Sequence, residues 1–257
     1  NHSTILALTE IIDRIREEVD SGNIGIAIYL DLSKAFDLVN HTILLQKAEH
    51  LGIRGPPLQW LRDYLTNRKQ QTFVDGALSD ALHVPIGVPQ GSILGPLLFL
   101  IFVNDINLPT DHSSLRLFAD DTNVFIFHHD PNCLQRIALN AIDHLMQWFT
   151  DNNLLLNLSK TCFSVFANKK VPINSLSSRN GTIVRVDCTK YLGLELDSRL
   201  SWKNHIQSLV KKSINYSLFL RPFPNTSMII KSVSYTLLLF THTYYMLHPS
   251  TEHALSR

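Results

Sequence analysis

The chain has 257 residues, of which 45% are apolar and 18% charged, and its formal net charge is +1. These fractions exclude an intrinsically disordered chain, and the length suffices for one large domain or two small ones. The charge is unevenly distributed: residues 1–159 carry 10 Lys and Arg against 18 Asp and Glu (net −8), whereas residues 160–221 carry 11 against 3 (net +8). An acidic part followed by a basic part is one hint of a polyanionic partner.

Apolar periodicity and turn residues predict alternating helices and short strands in the first half of the chain. The expected elements, in chain order, are a helix over 3–19, a buried strand over 24–30, a helix capped by Asn40 and ending at 51, a helix over 58–65 opened by two prolines, a hairpin over 68–85 around Asp75-Gly76, a loop over 87–91, and an apolar helix that Ser92 caps and that runs to 106.

The second half continues in the same way, with one long helix among short strands. Its expected elements are a strand–turn–strand over 115–127, a long amphipathic helix capped by Asp130 and ending near Asn152, short strands over 163–166, 182–186 and 191–196, and a helical tail from Trp202. The sequence therefore predicts an α+β fold with a sheet core, helices on one side of the sheet and a helical tail.

Cysteine usage and hydropathy bear on the cellular compartment. Three cysteines without a CxxC spacing indicate neither a disulfide framework nor a zinc site, and they favour a reducing compartment. No signal peptide is recognisable, and the longest apolar run, 93–103, is too short to cross a bilayer. We therefore expect an intracellular protein, in the nucleus or the cytoplasm, without a membrane partner; the oligomeric state is left open.

Three aspartates stand where a bare charge is unfavourable. Asp31 ends a buried strand, and Asp120 and Asp121 lie side by side at the tip of an apolar hairpin. Two carboxylates a few ångströms apart repel by roughly 4 kcal/mol at an effective dielectric of about 20, unless they share a proton or hold a cation. If the strands are neighbours, two Mg²⁺ or Mn²⁺ ions there could activate a hydroxyl and stabilise a leaving pyrophosphate. Each feature taken singly has a simpler explanation: Asp120-Asp121 as a polar β-turn and Asp31 as a helix cap. The carboxylates alone also do not distinguish a polymerase from a nuclease.

Three motifs occur in a fixed order around these aspartates. Residues 29–37 read YLDLSKAFD, residues 87–99 read GVPQGSILGPLLF, and residues 118–122 read FADDT; Asp31 and Asp120 are 89 positions apart. In this order and at this spacing they resemble the palm motifs of the reverse transcriptases of non-long-terminal-repeat (LINE-type) retrotransposons.

Weaker matches extend the resemblance along the chain. Residues 154–161 (LLLNLSKT) resemble the fourth motif of that family, and residues 191–193 (YLG) resemble its primer grip. The family implies a right-hand polymerase fold, with an antiparallel palm sheet backed by helices, partial fingers and a helical thumb. It also implies an RNA-directed DNA polymerase that uses an RNA template, a DNA primer and deoxynucleoside triphosphates (dNTPs).

The resemblance assigns the aspartates to the catalytic metal site. Asp31 and Asp120 would bridge two Mg²⁺ (or Mn²⁺) ions, Asp121 would lie beside them, and the carbonyl of Leu32 would be a further ligand. A primer 3′-OH would then attack the α-phosphate in line, with the ions lowering the pKa of that hydroxyl and neutralising the departing oxygens.

Four residues are assigned to the substrate by the same resemblance. Phe36 would be the steric gate, because an aromatic ring under the sugar leaves no room for a 2′-OH. Gln90 and Gly91 would lie against the incoming nucleotide and the template, and Lys160 would meet the triphosphate or protonate pyrophosphate. Without the motifs, Phe36 is better explained as a core aromatic, Gln90 and Gly91 fit an ordinary helix-entry loop, and Lys160 fits a solvated lysine at a strand edge.

A further set is assigned to the primer–template. Tyr191 and Gly193 would hold the primer end. Basic residues of the second part would face the duplex backbone and give salt-dependent, sequence-independent binding. They are Lys169, Lys170, Arg179, Arg185, Lys190, Lys203, Lys211 and Lys212. For any single lysine, an ordinary solvated surface is the alternative.

The family pattern also divides the chain and leaves two other functions open. We expect partial fingers over 1–22, palm over 23–52 and 87–196, a fingers insertion over 53–86, and a partial thumb over 197–257. Residues 1–4 match only the end of the upstream fingers motif, so we expect a truncated catalytic core. The intact aspartates favour a polymerase, whereas the missing fingers favour a catalytically inactive, retroelement-derived fragment that binds nucleic acid or a protein partner. A two-metal nuclease has no motif support.

Overall fold

The described part of the chain consists of a long first unit and a short second one. The computed structural model describes residues 4–109, 113–118, 121–178 and 181–220, the last seven by their backbone. The two units are Asn1–Leu192 and Gly193–Arg257. Asp120, Arg179 and the tail beyond residue 220 lie outside the described residues.

The predicted helices form, and their caps are built by the expected residues. The helices are α1 Thr4–Asp20, α2 His41–His50, α3 Pro56–Leu65, α4 Leu94–Val103, α5 Pro131–Asp151 and α6 Lys203–Leu220. The Asn40 side chain accepts from the first N–H groups of α2, and the Asp130 carboxylate does the same for α5. Helix α4 is shorter than predicted, although the hydroxyl of Ser92 still accepts from the N–H of Gly95 at 2.9 Å.

Most of the strands are short. They are β1 Ile24–Leu30, β2 Leu32–Ser33, β3 Lys69–Gln70, β4 Phe73–Val74, β5 Ala77–Leu78, β6 Leu82–His83, β7 Ser113–Phe118, β8 Asp121–His128, β9 Leu155–Leu156, β10 Cys162–Phe166, β11 Ser175–Ser178, β12 Gly181–Arg185, β13 Cys188–Tyr191 and β14 Leu194–Asp197. The single strand predicted over 191–196 is wrong, because Leu192 (φ 45°) and Gly193 (φ 88°) turn the chain there.

Six strands form the central sheet, in the order β11-β12-β10-β1-β8-β7. Strand β1 lies in the middle and pairs antiparallel with β10 and β8. The sheet is antiparallel as expected except at one place, where β12 runs parallel to β10. The reason is that β11 lies in the connection between them and pairs antiparallel with β12, which reverses the direction of the returning strand. The α+β class is confirmed.

Helices cover both faces of this sheet, not one face as predicted. On one face, Ile26 and Ile28 of β1 belong to the large core that includes Leu145 of α5 and Phe102 of α4. The other face carries Phe127, which the guanidinium of Arg14 in α1 approaches to 5.2 Å from the ring centroid. Both faces of β1 are therefore buried along its whole length, which explains its unbroken apolar sequence.

The predicted hairpin contrasts with the sheet because it is exposed throughout. Strand β3 pairs with β6 and β4 with β5, around a tip in which Asp75 (φ 49°) and Gly76 (φ 82°) both adopt positive φ. Phe73 is 69% exposed and Leu82 71% exposed. Within the described residues, no helix combines the length and the apolarity that a membrane crossing needs.

The second unit has a polar centre of its own. The buried carboxylate of Asp197 accepts hydrogen bonds from the backbone N–H groups of Arg199, Ser201 and Trp202, and from the Ser201 hydroxyl. These bonds fix the turn between β14 and α6. The Ser208 hydroxyl of α6 donates to the Glu195 carboxylate of β14 at 2.6 Å, so the helix is tied to the strand a second time.

Candidate active site

The two described aspartates of the predicted metal site lie at the same end of adjacent strands. The register of β1 and β8 ends with the pair Leu30 and Thr122, and Asp31 and Asp121 are the residues next to that pair, at the same end of the two strands. Asp121 is exposed, and the Asp31 side chain is 41% exposed. The sheet therefore brings together two carboxylates that are 90 positions apart in the sequence.

Asp31 is held in place by its backbone, which leaves its carboxylate available. Its carbonyl accepts from the N–H of Asn157 at 2.8 Å, and its N–H donates to the Thr161 hydroxyl at 3.4 Å. Successive carbonyls of an extended chain point in opposite directions. The Leu32 carbonyl therefore points away from β9, which is compatible with its predicted use as a ligand.

Lys160 lies next to this carboxylate pair. Its Nζ is 3.8 Å from Oδ2 of Asp31, and its side chain is 69% exposed. An exposed pair at this distance contributes little to stability. The contact places an exposed cation beside the Asp31 carboxylate.

The donors at this end of the sheet fit a hard divalent cation. Carboxylate and carbonyl oxygens are the ligands that Mg²⁺ and Mn²⁺ prefer. Within the described residues, no three His, Cys, Asp or Glu side chains converge as a metal site. Asp120, the predicted third carboxylate, is not among those residues.

A cavity of about 380 Å³ lies where the first two palm motifs meet. Its lining comprises Lys34, Ala35, Phe36, Pro89, Gln90, Gly91, Gly95 and Pro96. Three residues predicted to contact the substrate, Phe36, Gln90 and Gly91, are thus brought together. The ring of Phe36 packs against that of Phe99, with centroids 4.6 Å apart, so the wall of the cavity rests on the core.

Backbone hydrogen bonds hold the two motifs against each other at this cavity. The N–H of Val88 donates to the Phe36 carbonyl, and the N–H of Gly87 donates to the Val39 carbonyl, both at 2.8 Å. Position 87 requires glycine for two reasons. Its φ is +88°, and a Cβ there would lie 2.7 Å from the carbonyl oxygen of Asp37.

Three polar residues at the cavity received no individual role from the sequence. Lys34 lines the cavity and adopts the left-handed conformation (φ 48°, ψ 45°). Asp37 accepts from the Gln90 amide nitrogen at 2.7 Å, and Nε2 of His41 lies 2.7 Å from the Gly87 carbonyl. Lys34 and Asp37 belong to the first palm motif, and His41 follows it four residues later. Membership of that motif was the available signal for the first two, but the partners of Asp37 and His41 lie 53 and 46 residues away in the sequence.

Tyr191 occupies a different environment from the one its predicted role suggests. The side chain is 3% exposed, and its ring packs against those of Tyr29 and Phe125. Burial raises the pKa of the Tyr191 hydroxyl; nearby Arg116 lowers it and Asp121 raises it. A primer contact at this position would therefore involve the backbone or a rearranged side chain. Gly193 has a positive φ of 88° with open space around it.

The lysines that were predicted to bind nucleic acid are exposed in both units. Lys190 is on β13 of the first unit, and Lys203, Lys211 and Lys212 are on α6 of the second. Lys169 and Lys170 are exposed as well. Arg185 differs from the expectation, because its guanidinium donates to the carbonyls of Val171 and Ile173, at 3.0 and 3.3 Å.

Several curated proteins of insect mobile elements are similar to this chain. The RNA-directed DNA polymerase from mobile element jockey of Drosophila melanogaster is 29% identical over 81% of this chain. The probable RNA-directed DNA polymerases from transposon X-element (29%) and from transposon BS (28%) of the same species match 81% and 82% of the chain. The matched part is 23 to 24% of the length of these relatives. The expected similarity to LINE-type enzymes is confirmed.

Among solved structures, telomerase from Candida tropicalis in complex with a fragment of telomeric RNA matches 75% of this chain and 32% of that one, with 11% identity and a TM-score of 0.49. The family model described as reverse transcriptase (RNA-dependent DNA polymerase) matches residues 6–196, which include the carboxylate pair and the cavity. That match covers well over half of the chain. The chain belongs to the reverse transcriptase family.

Proposed function

We propose that this chain is the polymerase core of a longer protein and adds deoxynucleotides to a primer 3′-OH along an RNA template. The observation that carries the proposal is the strand register that leaves Asp31 and Asp121 at one end of the sheet, with Lys160 beside Asp31. Family membership and the nucleotide-sized cavity support the same activity. Intact carboxylates favour turnover over a purely binding role.

Asp31, Asp120, Asp121 and the Leu32 carbonyl are the groups that would hold two Mg²⁺ or Mn²⁺ ions. When bound, such ions supply charge that lowers the pKa of the primer hydroxyl and neutralises the departing pyrophosphate. The strand ends fix where the carboxylates stand before substrate arrives. Because a rigid sheet carries them, little reorganisation is needed during the reaction.

The other groups of the site would select and orient the nucleotide. The Phe36 ring, fixed against Phe99, would exclude a 2′-OH, and Gln90 and Gly91 would contact the nucleotide and the template base. The Lys160 ammonium would meet the triphosphate or donate a proton to pyrophosphate. These roles explain why the polar side chain of Gln90 lies next to the apolar ring of Phe36 in the lining of the cavity.

The division of the chain and the residues that would hold the primer–template follow the family pattern. Residues 23–52 and 87–196 would be palm, 1–22 and 53–86 parts of the fingers, and 197–257 part of the thumb. Gly193 and the backbone of Tyr191 would hold the primer end, and Lys190, Lys203, Lys211 and Lys212 would contact phosphates. Since RNA and dNTPs are intracellular, the protein would work in the nucleus or the cytoplasm.

Primer extension tests the proposal directly. The chain is incubated with oligonucleotide-primed RNA, dNTPs and either Mg²⁺ or Mn²⁺, and the products are resolved by length. We expect metal-dependent extension that the Asp31→Asn variant loses, because the amide keeps the shape of the side chain but not its charge. Thermal unfolding of both proteins shows that the variant is folded.

Each alternative has its own outcome. A folded wild-type chain that binds primer–template but does not extend it would contradict an autonomous polymerase and favour the inactive-fragment reading. Metal-dependent cleavage without extension would indicate a nuclease.

A further inference from the structure

We infer that Asp37 is a positioning residue: its carboxylate orients the Gln90 amide at the nucleotide cavity and so sets how tightly the incoming deoxynucleotide binds. The inference rests on the proposed polymerase function and adds to it a residue that contacts another side chain instead of the substrate. It follows from the hydrogen bonds that connect the two palm motifs.

The hydrogen bond between the two side chains can run in only one direction, from Gln90 to Asp37. The amide nitrogen of Gln90 donates to Oδ1 of Asp37 at 2.7 Å. An ionised carboxylate can only accept, so the NH₂ end of the amide has to face Asp37. The carbonyl oxygen and the second N–H of Gln90 remain for a ligand in the cavity. Asp37 therefore decides which end of the amide the nucleotide meets.

Both ends of this contact stand on backbone that is itself fixed. Asp37 closes a 3₁₀ turn, Ala35–Asp37, in which its N–H donates to the Lys34 carbonyl at 2.9 Å. On the other side, the bond between the Val88 N–H and the Phe36 carbonyl holds the start of the loop that carries Gln90.

His41 adds a second tie to the same loop. Its Nε2 lies 2.7 Å from the carbonyl of Gly87, and a carbonyl only accepts, so the ring donates from Nε2. Cβ-free Gly87 lets the loop approach Asp37 closely. The loop base is thereby fixed by backbone bonds, and Asp37 is left to fix the side chain.

Stability is a poor explanation for the Asp37–Gln90 bond. Both side chains are exposed, and an exposed hydrogen bond of this kind contributes little to folding because water can replace it. A glutamine side chain loses considerable rotamer freedom when it is held. Because Asp37 already holds the Gln90 side chain before the nucleotide arrives, binding does not have to order that side chain, and the affinity for the nucleotide is higher.

Steady-state kinetics of single-nucleotide insertion test the inference. We expect Asp37→Ala to raise the KM for the dNTP about five- to tenfold while kcat changes less than about twofold, as for loss of binding common to ground and transition states. Asp37→Asn retains an acceptor and should stay within about threefold of wild type. Gln90→Ala should raise KM similarly, and Asp37→Ala/Gln90→Ala should be no worse than Gln90→Ala alone.

The chain offers a matched control on α3. Gln59 donates to Asp63 at 3.0 Å in another exposed amide–carboxylate pair, away from the cavity. Asp63→Ala should leave KM unchanged. A general effect of losing surface charge would instead raise KM in both variants.

The outcomes separate the inference from the proposed function. Nucleotide affinity is measured in parallel as the dNTP-dependent stabilisation of a complex with a chain-terminated primer, which requires no turnover. If wild type fails to extend but Asp37→Ala weakens that complex, the polymerase proposal fails and the positioning role stands. Additive effects of Asp37→Ala and Gln90→Ala, an unchanged KM in Asp37→Ala, or no nucleotide binding by wild type would overturn the inference.

Discussion

The carboxylate end of the sheet and the nucleotide cavity are neighbouring features built by different means. Asp31 and Asp121 follow from the ladder between two strands, one of which is buried on both faces. The cavity is lined by a 3₁₀ turn, a loop and the first turn of α4, and the turn and the loop are held together by a few hydrogen bonds and by the close approach that Gly87 allows. The carboxylates are thus placed by strand pairing, whereas the residues around the cavity are placed by contacts between a turn, a loop and a helix.

This contrast separates two kinds of variant. Exchanging an exposed carboxylate at the strand end changes charge and leaves the sheet intact, so chemistry should be lost without loss of stability. Exchanging a residue that is closely packed at the cavity, such as Gly87 or Phe36, changes packing, so stability and nucleotide binding or selection should change together. The difference can be measured by comparing extension kinetics with unfolding free energies.

The largest effect is expected for Asp121→Asn. Because a ligand charge is removed from a site that stabilises developing negative charge, the extension rate should fall at least about a hundredfold. The unfolding free energy should change by less than about 0.5 kcal/mol, since Asp121 is exposed. Asp75→Asn, at the exposed hairpin tip, is the control with unchanged extension. Retention of more than a tenth of the wild-type rate by the folded Asp121→Asn protein contradicts the metal-site assignment.

Gly87→Ala should have the largest effect on the loop. The new Cβ would meet the Asp37 carbonyl oxygen at 2.7 Å, in a backbone conformation that already disfavours alanine. We expect a destabilisation of about 2–4 kcal/mol in urea unfolding, together with loss of nucleotide binding. Gly76→Ala isolates the backbone contribution, because Gly76 has φ +82° with open space around it, and it should cost only about 1–2 kcal/mol. Equal costs at the two positions would contradict a steric role for Gly87.

A structural feature could be predicted from the sequence when it depends on residues that are close together along the chain. Asn40 and Asp130 cap helices two or three residues away, and the unbroken apolar run of β1 reports burial directly. These local signals gave the helices and the central strand. The sequence predicted that Asp31 and Asp120 meet at one end of the sheet; Asp120 lies outside the described residues, but its neighbour Asp121 does lie at the same strand end as Asp31.

The missed features all depend on contacts between distant segments. The parallel pairing of β12 with β10 depends on β11, whose four residues carry no strong alternation. The bond from Gln90 to Asp37 spans 53 residues and involves two polar side chains that look solvated in the sequence. Burial of Tyr191 depends on Tyr29 and Phe125 from two other strands. Periodicity within one segment reports none of these contacts.

A smaller effect on selection is expected for Phe36→Val. Replacing the ring with the smaller valine side chain opens space under the sugar and leaves the loop over 87–91 unchanged. Incorporation of ribonucleotides relative to deoxynucleotides should therefore rise roughly ten- to a hundredfold. Because Phe36 also packs on Phe99, stability should fall by about 1–2 kcal/mol. Phe73→Val, on the exposed hairpin, should change neither quantity. Unchanged sugar selection in a folded Phe36→Val protein would remove Phe36 from the role of steric gate.

The smallest effect is expected for Lys160→Gln, whose exposed ammonium lies near the Asp31 carboxylate. Its side chain is 69% exposed and its nearest carboxylate oxygen is 3.8 Å away, so unfolding should change by less than about 0.5 kcal/mol. Loss of a cation near the triphosphate should raise the KM for the dNTP about three- to tenfold and weaken its dependence on salt. Lys69→Gln, on the exposed hairpin, removes the same charge away from the site. If both variants raise KM equally, the effect comes from net charge and Lys160 has no specific contact with the nucleotide. If only Lys160→Gln raises the KM for the dNTP, the cation beside the Asp31 carboxylate contacts the nucleotide directly.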